Sequence, residues 1–294
     1  MYARTGKNKE KFYKIKGMKN NTNKFSVLMS VYEKDKVEYL KQALDSVLNQ
    51  TVKPDEVILV KDGPLSDELN RCIHSYDKNA ATLKVVSLEK NRGLGIALRI
   101  GMEHCSNELI ARMDSDDICV PDRFERQLKA FENNPDISMV GGYIEEFTES
   151  PDKPVGIRKV PESDKDIQKY MRKRCPFNHV SVMLKKSEVL KAGGYLEWHY
   201  NEDYYLWIRM MLEECKFYNI PEVLVHVRVG KDMYQRRGGI NYFRSEAKLQ
   251  SYMYQQETIS IFEYFYNVAV RFVIQILMSN KIRGWFFRKF ARTR

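Results

Sequence analysis

The chain has 294 residues, 43% of them hydrophobic and 30% charged, enough apolar content for one large globular domain with or without an appendage and too much for a disordered protein. Its formal net charge of +10 favours a polyanionic partner, and nucleic acid, an anionic membrane or a phosphorylated substrate would each satisfy it. The five cysteines, Cys72, Cys105, Cys119, Cys175 and Cys215, form no C-x-x-C pair or zinc-like spacing, which argues against a disulfide framework or structural zinc and fits a reducing cytoplasm.

Residues 1–24 are rich in Lys and Asn and lack the continuous apolar stretch of a secretory signal. They read as a basic, disordered tail, with translation starting at Met1 or at Met18. From Phe25 to Tyr32 a β-prone apolar run predicts a strand, and Val37, Leu40, Ala43, Leu44, Val47 and Leu48 follow at helical spacing. The unbroken run Val57 to Val60 predicts a strand covered on both faces, ending at Asp62-Gly63-Pro64. A helix through Leu69, Ile73 and Tyr76 leads to a third strand over Lys84 to Leu88, which stops at Asn91-Arg92-Gly93. A helix through Leu94, Ala97, Leu98, Gly101 and Met102 precedes a fourth strand, Leu109 to Met113, that runs straight into Asp114-Ser115-Asp116-Asp117.

This alternation implies a parallel α/β sheet whose ligands sit at the carboxyl ends of the strands, where the polar clusters fall. Beyond it, Pro121 to Phe131 reads as helix and Ile137 to Tyr143 as extended, while Asp152 to Pro161 reads as a connection of low regularity. A strand over Val180 to Leu184, a helix from Ser187 closed by Gly193-Gly194, a helix from Asn201 and a strand over Val223 to Val227 complete this part. From residue 231 the composition becomes basic, aromatic and helical.

The acids after the fourth strand offer hard oxygen ligands suited to Mg²⁺ or Mn²⁺, with a diphosphate completing the shell. As a calcium loop the segment fails, because Cys119 stands where the turn glycine belongs. The plain alternative is an acidic turn with Asp117 capping the next helix. Asp62 either accepts from a nucleobase N–H or initiates a turn, and Arg92 either meets a phosphate or base or merely sits in an Asn-Arg-Gly turn. Asn201-Glu202-Asp203 either caps a helix or supplies Asp203 as general base. His179 and His226, each beside apolar strand residues, read as structural. Leu98 replaces the third glycine of a dinucleotide loop, and no phosphate-binding P-loop occurs.

With these motifs in view, Phe25 to Tyr32, Val57 to Pro64, Asn91 to Gly95, Met113 to Asp117 and Glu202 to Arg209, the chain resembles the family 2 glycosyltransferases, particularly those of bacterial capsule, exopolysaccharide and O-antigen synthesis. The resemblance implies a GT-A fold over 25–230 with a mainly helical extension over 231–294. It also implies an inverting transfer from a nucleotide-diphosphate sugar, UDP by resemblance alone, to an acceptor hydroxyl, with a lipid-linked saccharide as acceptor. Carried onto this sequence, it places Val31, Tyr32, Glu33, Asp62 and Arg92 around the nucleotide, Asp114 and Ser115 near the ribose or donor sugar, Asp116 on the metal with Asp117 in support, and Asp203 as base beside Glu202. Lys61-Asp62 replaces the paired acids of many relatives, and the Q-x-x-R-W motif of processive synthases is absent. Pro176 to His179 and Arg236 to Gly239 look like elements of capsule-type members, without an assigned chemistry.

Three rivals are weighed against this reading. A sugar nucleotidyltransferase would carry a Gly-rich N-terminal phosphate loop, which does not follow Ser30-Val31-Tyr32. A nucleic-acid-binding protein would not line its strand ends with acids, so no nucleic acid partner is expected. A non-catalytic scaffold would have no need of Asp114, Asp116 and Asp203 together. Between Ile261 and Phe290 apolar and basic residues interleave without the ~18-residue apolar run of a membrane span. That segment reads equally as a peripheral membrane anchor, which would set the enzyme at the inner face of the cell membrane, or as helices packed on the catalytic domain or on a dimer mate.

Overall fold

The computed structural model describes residues 24–76, 82–230, 238–280 and 282–283. The tail expected over 1–24 lies outside them except for Lys24, as do Arg236, Arg237 and the aromatic-basic run from Trp285 onward. Four parallel strands appear where the apolar runs predict them: β1 (Phe25–Val31), β2 (Glu56–Lys61), β3 (Leu83–Ser87) and β4 (Leu109–Asp114). Helices α1 (Val37–Leu48), α2 (Asp67–His74) and α3 (Leu94–His104) alternate with them. The spatial order β3-β2-β1-β4 reverses direction at β1, so the crevice at the carboxyl ends of β1 and β4 is a topological switch point.

Side-chain alternation along the strands divides the core in two. Val27, Met29 and Leu59 pack with Leu40, Leu44 and Val47 of α1 on one face. Leu28, Ile58 and Val60 pack with Ala97, Leu98 and Met102 of α3 on the other. Gly101 lets α3 approach the sheet closely, since a Cβ there would lie 2.6 Å from Val60 and nearer still to Leu28.

The sheet then turns mixed, which the parallel expectation did not include. After β5 (Ile118–Cys119) and α4 (Arg123–Asn133), the chain forms β6 (Ile137–Phe147) and β7 (Pro154–Arg158). Helix α5 (Asp164–Met171), β8 (Met183–Lys185), α6 (Lys186–Lys191), α7 (Glu202–Leu212) and β9 (Lys216–Arg228) follow. β8 runs antiparallel to both β4 and β6, β9 pairs parallel with β6, β7 pairs antiparallel with β6, and β5 pairs antiparallel with β9.

Three expectations are corrected here. The supposedly irregular 152–161 contains β7, an edge strand that tolerates Pro154 at its start. The strand expected over Val180 to Leu184 is a 3₁₀ turn, His179–Ser181, with pairing only from Met183. The strand expected over Val223 to Val227 begins at Lys216, because β9 bulges against β6: Gly142 pairs with Ile220 and Tyr143 with Val223, which leaves Pro221 and Glu222 outside the ladder.

Helices α8 (Ile240–Gln255) and α9 (Ile261–Phe272) form the C-terminal part, and α9 continues into a π-helical turn, Val273–Leu277. Ser260 and Glu263 close a capping box at the start of α9. Among the described residues no helix is long and apolar enough to cross a membrane.

Candidate active site

Loops from four strand ends are joined to one another by specific bonds. After β1 the chain folds into a tight turn in which the Asp35 carboxylate accepts from the Tyr32 amide at 3.1 Å and from the Ser115 hydroxyl at 2.7 Å. After β2, buried Asp62 accepts from the amides of Arg92 at 2.7 Å and Gly93 at 3.0 Å, so it clasps the loop that follows β3. Gly63, at φ +94°, permits that approach, since a Cβ there would lie 2.6 Å from the Asn91 nitrogen. The Asp62 amide donates to the carbonyl of Val31 at 2.8 Å, and the Val31 side chain is wholly in the core. Val31 therefore supports the site through its backbone. Tyr32 is 37% exposed, while Glu33 and Arg92 are also exposed; Asp35, not Glu33, reaches the acidic cluster.

At the end of β4, oxygens of Asp114, Asp116 and Asp117 lie within 4.8 Å of one another. Asp114 is ion-paired with Arg112, a guanidinium buried within the strand. Asp117 accepts from the Arg228 amide at 2.8 Å, so it ties β9 to the cluster and does not cap α4. The Arg228 guanidinium donates to the Asp116 carbonyl at 3.2 Å and stacks over Tyr39 and Phe147. Burial and the charges of Asp114 and Asp35 push Asp116 up to about 6, and burial with the charges of Asp114 and Asp116 raises Asp117 well above the carboxylate range. Three hard donors that repel one another until a cation arrives are what a divalent metal needs, and the set fits one.

The fourth contribution comes from the start of α7. Burial and the adjoining Asp203 raise Glu202 to about 7; burial raises Asp203 as well, against the pull of the Tyr204 amide, Arg112 and Arg158. Glu202 packs on Gly95 at the start of α3, where a Cβ would come within 3.2 Å of its own. Asn201 precedes the helix but its side chain does not cap it; its amide donates to Ser245 of α8 at 3.0 Å. Asp203 accepts from the Tyr204 amide at 2.7 Å and lies 4.0 Å from the Cys175 thiol.

Asp114, Asp117 and Asp203 line one cavity of about 900 Å³, whose far wall is built from α8 and α9. Tyr32, Asp62 and Arg92 do not line it. His179 bonds Tyr195 at 2.9 Å and packs against the Trp207 ring; burial, then Arg112, keep it neutral, in keeping with a structural role. Sequence reasoning missed Arg112, Asp35 and Arg228. Arg112 left one signal, its i, i+2 spacing to Asp114, which puts both side chains on one face of the strand. Its Nε and Nη1 are buried without hydrogen-bond partners among the described residues, a cost consistent with a charge kept for the carboxylates around it.

Solved structures with this architecture are glycosyltransferases of the GT-A fold. A mannosyltransferase from Pyrobaculum calidifontis, in complex with GDP-Man and Mn²⁺, matches with a TM-score of 0.59 at 14% identity, over 88% of this chain and 71% of that one. S. aureus TarS 1-349 with UDP-GlcNAc matches with a TM-score of 0.59 at 15% identity, over 91% and 73%. The family model for glycosyl transferase family 2 matches residues 26–192. An Escherichia coli UDP-Gal:alpha-D-GlcNAc-diphosphoundecaprenol beta-1,3-galactosyltransferase is 40% identical over 94% of this chain and 99% of its own length. The amylovoran biosynthesis glycosyltransferase AmsE of Erwinia amylovora is 43% identical over 76% and 84%. The chain belongs to glycosyl transferase family 2 and is a glycosyltransferase.

Proposed function

We propose that the enzyme transfers a sugar from a UDP-sugar to a hydroxyl of a lipid-linked saccharide, inverting the anomeric centre, in the synthesis of a surface polysaccharide. The observation that carries the reading is that Asp114, Asp117 and Asp203 line one cavity, with Asp116 beside the first two though not in the lining itself. The similarity to a galactosyltransferase named for a diphosphoundecaprenol acceptor, along almost the full length of both chains, supports the donor and acceptor classes. Residues 25–230 form the catalytic unit, 231–294 an extension serving the acceptor, and the enzyme works at the inner face of the cell membrane.

Asp116, with Asp114 and Asp117, would hold Mg²⁺ or Mn²⁺, which when bound offsets the charge of the departing diphosphate. Tyr32, Asp62 and Arg92 receive the nucleotide, Asp62 both by fixing the 91–93 loop and through the acceptor capacity its carboxylate retains. Asp114 and Ser115 orient the donor sugar. Asp203 takes the proton from the acceptor hydroxyl as its oxygen attacks the anomeric carbon, and the burial that raises its pKa makes it a stronger proton acceptor than an ordinary carboxylate. A single in-line displacement, with the deprotonated hydroxyl opposite the leaving diphosphate, inverts the anomeric carbon.

The test is transfer from UDP-galactose and UDP-glucose to a synthetic N-acetylglucosaminyl-diphospholipid, with Mn²⁺ or EDTA and the product anomer read by NMR. Inverted product formed only with metal supports the reading. Retained configuration, or turnover indifferent to EDTA, contradicts it.

A further inference from the structure

Helix α9 and its π-helical continuation are amphipathic in reverse. Asn267 (2% exposed), Arg271 (8%) and Gln275 (8%) face the protein, while Phe262 (83%), Phe265 (64%) and Leu277 (65%) face outward. The inner row accounts for the docking: Asn267 donates to the Arg172 carbonyl at 2.9 Å and to Gln250 at 2.8 Å. Arg271 donates to the Lys173 carbonyl at 2.9 Å and pairs with Glu246 of α8. A water-facing helix buries its apolar side, so the outward row is built for an apolar medium.

Between these two rows lies a third, Tyr266, Val270 and Ile274, which lines the same cavity as Asp203. Lys173 and Arg174 line it as well, and neither side chain donates a hydrogen bond to a described residue. The other two cations there are engaged: Arg158 holds the carbonyls of Cys175 and Phe177, and Arg271 neutralises Glu246. Lys173 and Arg174 share that cavity with Asp203, so their charge and the base border one space. The cavity thus carries a base, two cations that hold no hydrogen bond to a described residue, although Lys173 also acts on the charge of Glu263, and an apolar row beside an outward apolar face.

We propose that this is the subsite for a polyprenyl diphosphate: Lys173 and Arg174 bind the acceptor's diphosphate, and the Tyr266-Val270-Ile274 row takes the first isoprene units, which enter from a bilayer bordered by Phe262, Phe265 and Leu277. The assignment rests on the lipid-linked acceptor proposed above and adds its place. It also gives the positive charge a specific task, since a diphosphate is matched by charge-assisted bonds and an isoprenoid by buried apolar area.

The probe is farnesyl diphosphate, titrated by calorimetry into the full-length wild type and into the K173Q/R174Q and V270S/I274S double variants, with UDP and Mn²⁺ titrated in parallel. Each pair should weaken farnesyl diphosphate binding by about tenfold or more while UDP affinity stays within about twofold. Equal farnesyl diphosphate affinity in all three proteins, or no binding to the wild type, overturns the subsite. Weakened UDP binding in K173Q/R174Q would assign the cations to the donor and overturn it too. Sedimentation of the wild type and F262S/F265S tests the outer face: a dimer that the substitutions dissociate would show a second copy covering it and overturn the bilayer route. Wild-type turnover on a synthetic N-acetylglucosaminyl-diphospholipid and on a neutral alkyl glycoside separates the two readings. No preference for the diphospholipid sinks the lipid-linked acceptor itself, whereas a preference that survives in K173Q/R174Q sinks only its placement.

Discussion

Replacing Asp116 with Asn should stabilise the metal-free enzyme while abolishing its response to metal. Oxygens of the three aspartates lie within 4.8 Å of one another. At that distance and an effective dielectric near 20, each like-charge pair repels by about 3 kcal/mol. Asp116 takes part in two of the three pairs. The cluster is partly open to solvent and Asp114 is paired with Arg112, so the gain from D116N is discounted to about 1–3 kcal/mol. In a domain of this size that raises Tm by roughly 3–8 °C. The sign of the pH dependence follows from the raised pKa. Stability is full below the unfolded value, near 3.8, and is lost as pH rises through about 6, where Asp116 ionises in the folded state. The advantage of D116N should therefore be complete at pH 8 and about half as large at pH 5. The assay is thermal unfolding at both pH values, in EDTA and in Mn²⁺, with Mn²⁺ raising the wild-type Tm and leaving the variant almost unmoved. A variant no more stable than wild type at pH 8 in EDTA, or an equal Mn²⁺ shift in both, would refute the reasoning.

Asp203→Asn should lower the transfer rate by about 10²- to 10⁴-fold while metal-dependent UDP affinity, measured by calorimetry, is unchanged; intact turnover would remove Asp203 from the role of base. Because burial raises both Glu202 and Asp203, and the charge of Asp203 raises Glu202 further, the acid limb of kcat/KM should lie above the ordinary carboxylate range, and Glu202→Gln should shift it to lower pH. A pH profile that does not move would show that the two acids do not share a proton. Asp62→Ala strips the Arg92 and Gly93 amides of their acceptor, at a cost of about 1–3 kcal/mol in urea unfolding, and should raise the donor KM by loosening the 91–93 loop. A stability loss with the donor KM unchanged would separate that loop from the nucleotide.

The first half of the molecule was legible because its strands are buried on both faces and so read as continuous apolar runs, Val57 to Val60 most plainly. The acids after β4 were legible because charge directly following a buried strand has few structural uses. What stayed hidden depends on partners distant in the chain. Asp35 gains its place from Ser115, 80 residues on, and Arg228 from Asp116, 112 residues back. β7 and the first half of β9 were masked by Pro154 and Pro221, which edge pairing and a bulge accommodate. The C-terminal segment showed its mixed composition but not its reversal, since only docking through Asn267, Arg271 and Gln275 decides which face of α9 is covered.

The most direct measurement is a calorimetric titration of UDP into the full-length protein with Mn²⁺ and again with EDTA, which requires no knowledge of the sugar or acceptor. The account predicts binding that appears with Mn²⁺ and disappears with EDTA. Binding indifferent to EDTA, or none under either condition, would contradict a metal-dependent UDP-sugar site at Asp114, Asp116 and Asp117.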